Sequence, residues 1–319
     1  KPQVADRVSV ATRWINKGYN ITLILGFVGL ARSTYYENMN RTVNTSKTKS
    51  KKVGRPFPGY CRTYDGNKIS DEEIKEWICE LIAGDGFPYG YRKLTACLNE
   101  DYNLQINHKK VNRFCKELGV LQPQRKRKTK KPKRLAKKVS VDGPDQLWQA
   151  DIKYGYIAGD DRFFFQFSII DVCTRDVVAY HLGLSCKAKD ACRTLERALA
   201  RRQLHNGQTG GLILRTDNGP QFTANAFARA CERLGVKHER IPPSTPNMNA
   251  YIESFHAILE SECYSRHEFD SFIDVYRDVS DYMTYYNERR RHGSLGYKSP
   301  VQSLEAFRSN EGKGAAIVA

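Results

Sequence analysis

The sequence predicts an α/β domain, a mixed sheet flanked by helices, preceded by small all-α modules. Strand-like and helix-like patterns alternate after Gln146, whereas helix-like patterns dominate before it. The charge also changes near this place: residues 1–138 hold 30 Lys and Arg against 12 Asp and Glu, and the remaining residues hold 22 against 23. A basic arm joined to a near-neutral domain predicts a polyanionic partner, with DNA or RNA as the leading candidate.

Residues 1–40 contain the pattern of a helix-turn-helix unit. An apolar helix is predicted over Thr22 to Phe27, followed by a bend at Gly29 and a second helix. Because a glycine turn alone is a weak signal, a purely structural helical hairpin is the alternative. Three polar residues at the start of the second helix are candidates to contact phosphates or base edges: Arg32, Ser33 and Thr34.

Residues 41–68 have the composition of a linker, and residues 69–122 predict a second helical module that binds DNA. Helices are expected from Asp71 and over Tyr91 to Asn99, and Asn107 could cap a third. A merely solvated basic face on the third helix is the alternative to DNA contact. The candidate DNA-binding residues on that helix are Lys109, Lys110 and Arg113.

Residues 123–144 form a basic linker on the sequence pattern. The run from Arg125 to Lys138 has ten basic residues and no acidic one, so it cannot build a core. Phosphate neutralisation by such a run gives salt-sensitive, sequence-indifferent affinity for DNA. A solubilising linker and a localisation signal are the alternatives. The candidate DNA contacts in this run are Arg125, Lys126, Arg127, Lys128, Lys130 and Lys131.

The order of elements after residue 145 is ribonuclease-H-like: three antiparallel strands come first, and helices then alternate with strands. We assign this core to residues 145–265, and a C-terminal helix and tail to residues 266–319. Strands are predicted over residues 147–157, 163–170, 176–184, 212–216 and 236–241. Helices are predicted over residues 187–202, 221–234, 249–264 and 272–287.

Three acidic residues of this core are candidate catalytic and metal-binding residues. Asp151 interrupts the first strand, Asp217 follows a buried strand and Glu253 lies early on a helix. A carboxylate in such surroundings is costly unless it is paired or binds a cation, and Mg²⁺ prefers these oxygen ligands. Two ions held by shared carboxylates suit phosphoryl transfer. Asp171 precedes Thr174-Arg175 and is interpreted as a turn residue rather than a fourth ligand.

The sequence resembles the DD(35)E transposases of bacterial insertion sequences, which are retroviral-integrase-like. The resemblance rests on Thr216-Asp217-Asn218-Gly219-Pro220 and on Asn249-Ala250-Tyr251-Ile252-Glu253, with 35 residues between the two acids. The upstream segment Gly90–Leu94 and the tail around Tyr286-Asn287 and Ser299-Pro300 are also similar to that group. Within that group, the sequence especially resembles the catalytic product of elements with two overlapping reading frames.

The resemblance implies metal-dependent cleavage at the ends of a DNA element, followed by strand transfer. Two Mg²⁺ ions, replaceable by Mn²⁺, would be held by Asp151, Asp217 and Glu253. The implied partners are double-stranded DNA, as terminal repeats and target, and further copies of the chain in a homodimer or larger assembly. Asn249, Arg289 and His292 are further candidate DNA-binding residues by the same resemblance, and positioning of Glu253 is the alternative role of Asn249.

One position departs from the family pattern: Glu260 stands seven residues after Glu253, where a basic residue is common. In the predicted fold Asp151 and Asp217 lie on neighbouring strands, so the three carboxylates should converge and repulsion should raise at least one pKa. Lys153, Arg289 or Arg291 should border the site.

The competing functions are a non-catalytic DNA-binding regulator with an inactive core and a nuclease acting on RNA–DNA hybrids. The acidic triad argues against the first and the upstream helical modules against the second. The nine cysteines occur singly without a CxxC pair, which predicts reduced packing residues. No export signal is recognised, and the apolar run Ile21 to Ala31 is too short to span a membrane. We expect a cytoplasmic, nucleoid-associated bacterial protein.

Overall fold

A computed structural model of the chain describes residues 3–43, 58–123, 139–204, 209–242, 246–309 and 317–318. The chain divides into two compact units, residues 1–58 and 59–319. In the described residues no helix combines the length and apolarity needed to cross a membrane.

The first unit has three helices between residues 3 and 43: α1 (Val4–Ile15), α2 (Ile21–Val28) and α3 (Arg32–Val43). Asn20 caps α2 by accepting a hydrogen bond from the Thr22 N–H at 2.9 Å. Gly29 ends α2 in the left-handed conformation, with φ of 64°. The two predicted helices and the glycine bend between them are therefore confirmed. The first helix was not predicted, although Ala11 on it is buried against Leu25.

The second unit begins with a helical module. Its elements are β1 (Tyr60–Thr63), β2 (Lys68–Ser70), α4 (Asp71–Ala83), α5 (Tyr91–Glu100), β3 (Leu104–Gln105) and α6 (His108–Glu117). The three strands form a small antiparallel sheet in the order β2-β1-β3. The linker prediction over residues 41–68 is thus wrong at its carboxyl end, because Tyr60–Thr63 pairs with neighbours on both sides.

A five-stranded sheet follows the helical module and carries the three acidic segments. Its strands are β5 (Leu147–Ile157), β6 (Arg162–Asp171), β7 (Val177–Gly183), β8 (Ile213–Thr216) and β9 (Lys237–Arg240), after a short β4 (Ser140–Val141) outside the sheet. The order β7-β6-β5-β8-β9 has antiparallel β7, β6 and β5, with β8 and β9 parallel to β5. The fold is therefore the predicted ribonuclease-H-like one.

Helices cover both faces of the sheet. They are α7 (Ala188–Arg202), α8 (Pro220–Thr223), α9 (Asn225–Arg233), α10 (Ala250–Glu262), α11 (Phe272–Glu288) and α12 (Pro300–Arg308). Trp148 and Ala150 pack into one core cluster with residues of α7 and α9. The opposite cluster joins Ile157 and Phe164 to residues of α10 and α11. Alternation along β5 therefore directs Gln149 and Asp151 toward the face covered by α10.

Two helical predictions need correction. The helix expected over residues 221–234 is broken at Ala224, whose backbone is extended. Phe222 and Phe227 are both buried, and five residues apart on one continuous helix they would point about 140° apart. The break lets both reach the core. The C-terminal tail also contains α12, which begins with a capping box between Ser299 and Gln302. A final strand, β10 (Ile317–Val318), pairs with β4.

Asp171 ends β6 and is fully buried, yet four donors satisfy its carboxylate. Oδ1 accepts hydrogen bonds from the N–H groups of Cys173 and Thr174 at 2.7 and 2.9 Å. Oδ2 accepts from the N–H of Asp145 at 2.7 Å and from the Trp148 indole at 3.2 Å. The prediction that Asp171 is a turn residue is confirmed. All nine cysteines are free thiols, as expected.

We predict that Asp171→Ala lowers the free energy of unfolding by roughly 3–5 kcal/mol, because four donors, three of them in buried hydrogen bonds, lose their acceptor. Chemical denaturation followed by circular dichroism measures this change. Asp160→Ala, in the exposed turn after β5, should leave the unfolding midpoint almost unchanged. Equal stability of the two variants would show that the turn does not depend on Asp171.

Candidate active site

Two acidic residues are brought together by the parallel pairing of β5 with β8. The register places Gln149 opposite Arg215. Asp151 lies two residues after Gln149, within β5, and Asp217 lies two residues after Arg215, directly after β8. The strand neighbours expected from the sequence are therefore confirmed.

The turn after β8 fixes the position of Asp217. Its Oδ1 accepts a hydrogen bond from the Gly219 N–H at 2.9 Å, and Asn218 Nδ2 donates to the Ile241 carbonyl at 2.7 Å. A Cβ atom on Gly219 would lie only 3.1 Å from Asp217 Oδ1. A side chain at position 219 would therefore crowd this carboxylate.

Glu253 lies in the first turn of α10 and its side chain is exposed. The pKa of Asp151 is raised to about 6, chiefly by burial and also by the charges of Asp217 and Glu253, against a hydrogen bond from the Ile152 N–H that lowers it. The three carboxylates therefore interact electrostatically. The rise was expected from repulsion, but burial is its larger cause.

The donor set fits Mg²⁺ in chemical type. Both aspartates offer hard oxygen atoms, and within the described residues no Lys or Arg side chain forms an ion pair with either. However, no three His, Cys, Asp or Glu side chains of the described segments lie close enough together to hold a metal ion. Sharing of cations among all three acids would therefore require side-chain movement, for which the exposed Glu253 is best placed.

His256 is a site residue that the sequence interpretation missed. Its Nδ1 lies 3.6 Å from Asp151 Oδ2. Burial, together with the charge of Lys153, lowers the pKa of His256 to about 3, so the imidazole is neutral at pH 7. A signal was available, because His256 follows Glu253 by three residues and shares its helix face.

Lys153 and Glu260 form an ion pair beside these residues, with 2.7 Å between Nζ and Oε2. This hydrogen bond lowers the pKa of Glu260, which also accepts from Ser265 Oγ at 2.9 Å. The acidic residue at the usually basic position thus has a basic partner on β5. Lys153 borders the acidic residues as expected.

Arg289 and Arg291 instead contact the helical module. Arg289 Nε lies 2.7 Å from Asp85 Oδ2, and Arg291 Nη2 lies 2.7 Å from Asp101 Oδ1. The Arg291 N–H donates to Tyr89 Oη at 2.7 Å. The expectation that these arginines border the acidic site is wrong, because acidic side chains of the helical module bind them.

His292 and Asn249, both candidates for DNA contact, are buried. Burial lowers the pKa of His292 to about 2, and its Nε2 lies 3.2 Å from Arg290 Nη1. Asn249 immediately precedes α10, and its Oδ1 has no hydrogen-bond partner among the described residues. DNA contact by His292, Asn249 or Arg289 stays a prediction, although the positions of the first two favour a packing role.

The candidates on the helix-turn-helix unit lie at the amino end of α3, where Arg32 and Ser33 are exposed and Thr34 is half-buried. On α6, Lys109 is exposed. Lys110 and Arg113 bind Asp71 through contacts of 2.6 and 3.3 Å, so part of this basic face is neutralised within the module. The basic run and its candidates lie outside the described residues: Arg125, Lys126, Arg127, Lys128, Lys130 and Lys131.

Comparison with known families divides the chain into three matched segments. Residues 141–246 and 234–300 each match a family described as "Integrase core domain". Residues 69–128 match a family described as "HTH-like domain".

The relatives include two insertion-element proteins. An uncharacterized 39.2 kDa protein of insertion element IS476 from Xanthomonas euvesicatoria is 30% identical over 228 residues, which span 71% of this chain and 63% of that protein. The putative transposase InsK of element IS150 from Escherichia coli is 25% identical over 72% of this chain and 82% of that protein.

Among solved structures, the HTLV-2 integrase catalytic core domain in complex with magnesium is 15% identical, with a TM-score of 0.40 over 51% of this chain and 97% of that one. The matched core segments and the insertion-element relatives establish that the chain belongs to the retroviral-integrase-like transposases of bacterial insertion sequences.

Proposed function

We propose that the chain is a DNA transposase that binds the ends of its insertion element and catalyses metal-dependent strand cleavage and strand transfer. The observation that carries this proposal is the adjacency of Asp151 and Asp217 across β5 and β8, with Glu253 near enough to raise the pKa of Asp151. Membership of the family supports the reaction class. A non-catalytic regulator is not favoured, because named relatives in this family are transposases.

Asp151 and Asp217 would hold Mg²⁺ through their carboxylates, and Glu253 would complete the ligand set. When bound, the metal would polarise phosphate oxygens and lower the pKa of attacking water. The turn at Gly219 holds one Asp217 oxygen in place. Neutral His256 adds no positive charge beside Asp151, so it would not compete with a cation for that carboxylate.

Two kinds of DNA contact follow from the distribution of charge. Arg32 and Ser33 at the exposed start of α3, with Lys109 on α6, would contact particular positions on the duplex. The basic run from Arg125 to Lys138 would add phosphate contacts that do not depend on sequence. We further propose that two or more copies of the chain act together, because an element has two ends. A cytoplasmic site of action accords with this role.

We predict that Asp217→Asn reduces cleavage and joining of DNA ends by roughly 100-fold or more, the scale of losing one preorganised electrostatic contact. Asparagine retains an oxygen for the Gly219 N–H, so folding and DNA affinity should be preserved. Cleavage of labelled duplexes carrying the element ends, with Mg²⁺ or Mn²⁺, measures the effect. Asp160→Asn serves as an exposed control, and full activity of Asp217→Asn would contradict the metal-binding role.

We predict that Asp151→Asn stabilises the metal-free protein at pH 7 by roughly 1–3 kcal/mol. The folded pKa of about 6 exceeds the unfolded value of 3.8, so the folded state favours the protonated carboxyl. Stability of the wild type should therefore fall as pH rises from 4 to 6. Thermal melts in EDTA should show a gap between variant and wild type at pH 7 that closes near pH 4. A gap independent of pH would rule out the raised pKa.

A further inference from the structure

The amino end of α10 is capped by a side chain from another element. Gln149 Oε1 accepts hydrogen bonds from the N–H groups of Tyr251 and Ile252 at 3.0 and 3.1 Å. The first N–H groups of a helix have no partner within it, and Asn249, at the N-cap, makes no side-chain capping bond. Gln149, on β5, performs that role from the buried interior.

A single carbonyl group joins both central strands to the start of α10. The Met248 carbonyl accepts from Gln149 Nε2 at 2.8 Å and from Arg215 Nη1 at 3.0 Å. Gln149 is 1% exposed and Arg215 is fully buried. Arg215 Nε also lies 3.0 Å from Glu239 Oε2, which balances its charge. These groups form a buried polar junction of Gln149, Arg215 and the Met248 carbonyl.

The junction lies next to all three acidic residues along the chain. Asp151 is two residues after Gln149, Asp217 is two residues after Arg215, and Glu253 directly follows Ile252. Gln149 and Arg215 are also register partners in the sheet. One set of buried hydrogen bonds therefore fixes the backbone of each acidic segment relative to the other two.

We propose that Gln149 is a positioning residue that sets the location of Glu253 relative to Asp151 and Asp217; this rests on the proposed function. Metal ligands must be held within about 0.5 Å of the productive geometry. Because Glu253 lies on α10, the position of its carboxylate depends on the position of the helix. Glutamine suits the task because it accepts from two N–H groups while donating to a carbonyl.

Two substitutions of Gln149 separate its role as an acceptor for the two N–H groups from its role as a donor to the Met248 carbonyl. Gln149→Glu keeps the acceptor oxygens but replaces the donor to Met248 with a charge that repels the carbonyl. Gln149→Met keeps the approximate volume and removes both functions. Gln166→Met is the matched control, because Gln166 is a fully buried glutamine on β6 that binds Tyr264 Oη and Ser168 Oγ, away from the amino end of α10.

The test measures the Mg²⁺ concentration for half-maximal end cleavage, together with hydrogen exchange of the Tyr251 and Ile252 amides. We expect Gln149→Met to raise the half-saturating Mg²⁺ by about 10-fold or more, the usual scale for residues that orient metal ligands. The two amides should exchange faster, and Gln149→Glu should be intermediate. Gln166→Met should leave the Mg²⁺ requirement and the two amides unchanged even where it lowers the melting temperature.

An active wild type with an unchanged Mg²⁺ requirement in Gln149→Met would overturn the positioning role alone. An equal shift in Gln166→Met would do the same, because the effect would then be general destabilisation. A folded, DNA-binding wild type without metal-dependent cleavage would overturn the proposed function and the positioning role with it.

Discussion

The parallel pairing of β5 with β8 is the constraint on which the rest of the site depends. It places the two strands side by side with Gln149 opposite Arg215. Asp151 and Asp217, each two residues further along, therefore lie at the same end of the paired segment. Parallel neighbours require a long crossover, and here α7 supplies it on the face opposite α10. The face that carries Asp151 is thereby left for α10 and its glutamate.

This arrangement has a cost in charge burial. Asp151 is held where burial raises its pKa, while within the described residues the basic side chains nearby are engaged elsewhere. Lys153 binds Glu260, and Arg215 binds Glu239. A cation bound from solution would compensate the charge of the partly buried Asp151 carboxylate, which no basic side chain of the described residues compensates. The same reasoning explains Glu260: with Lys153 as its partner, the pair adds no net charge next to the acidic residues.

Much of the fold was predictable because its signals are local. The alternation of polar and apolar residues predicts a strand from Leu147 to Ile157, and the observed β5 has the same first and last residues. The apolar stretch before Asp217 predicts β8. The break at Ala224 was not predictable from periodicity, because it arises from the need to bury both Phe222 and Phe227. The helix over Pro300–Arg308 could have been found from its capping box.

The candidate site likewise has features that the sequence predicts and features that depend on distant contacts. The spacing of Asp151, Asp217 and Glu253 is visible in sequence, and their assignment as ligands remains a proposal. The role of Gln149 depends on contacts about 100 residues away in sequence, which no local pattern encodes. The sequence predicts Arg289 and Arg291 at the border of the acidic site, whereas both bind acidic groups of the helical module.

The most direct test of the account is an anomalous difference map from crystals of the chain bound to its element-end duplex and soaked in Mn²⁺. The account predicts peaks about 2 Å from carboxylate oxygens of both Asp151 and Asp217, with Glu253 turned toward one of them. Manganese density elsewhere, with those two carboxylates lacking metal in a complex that cleaves DNA, would contradict it.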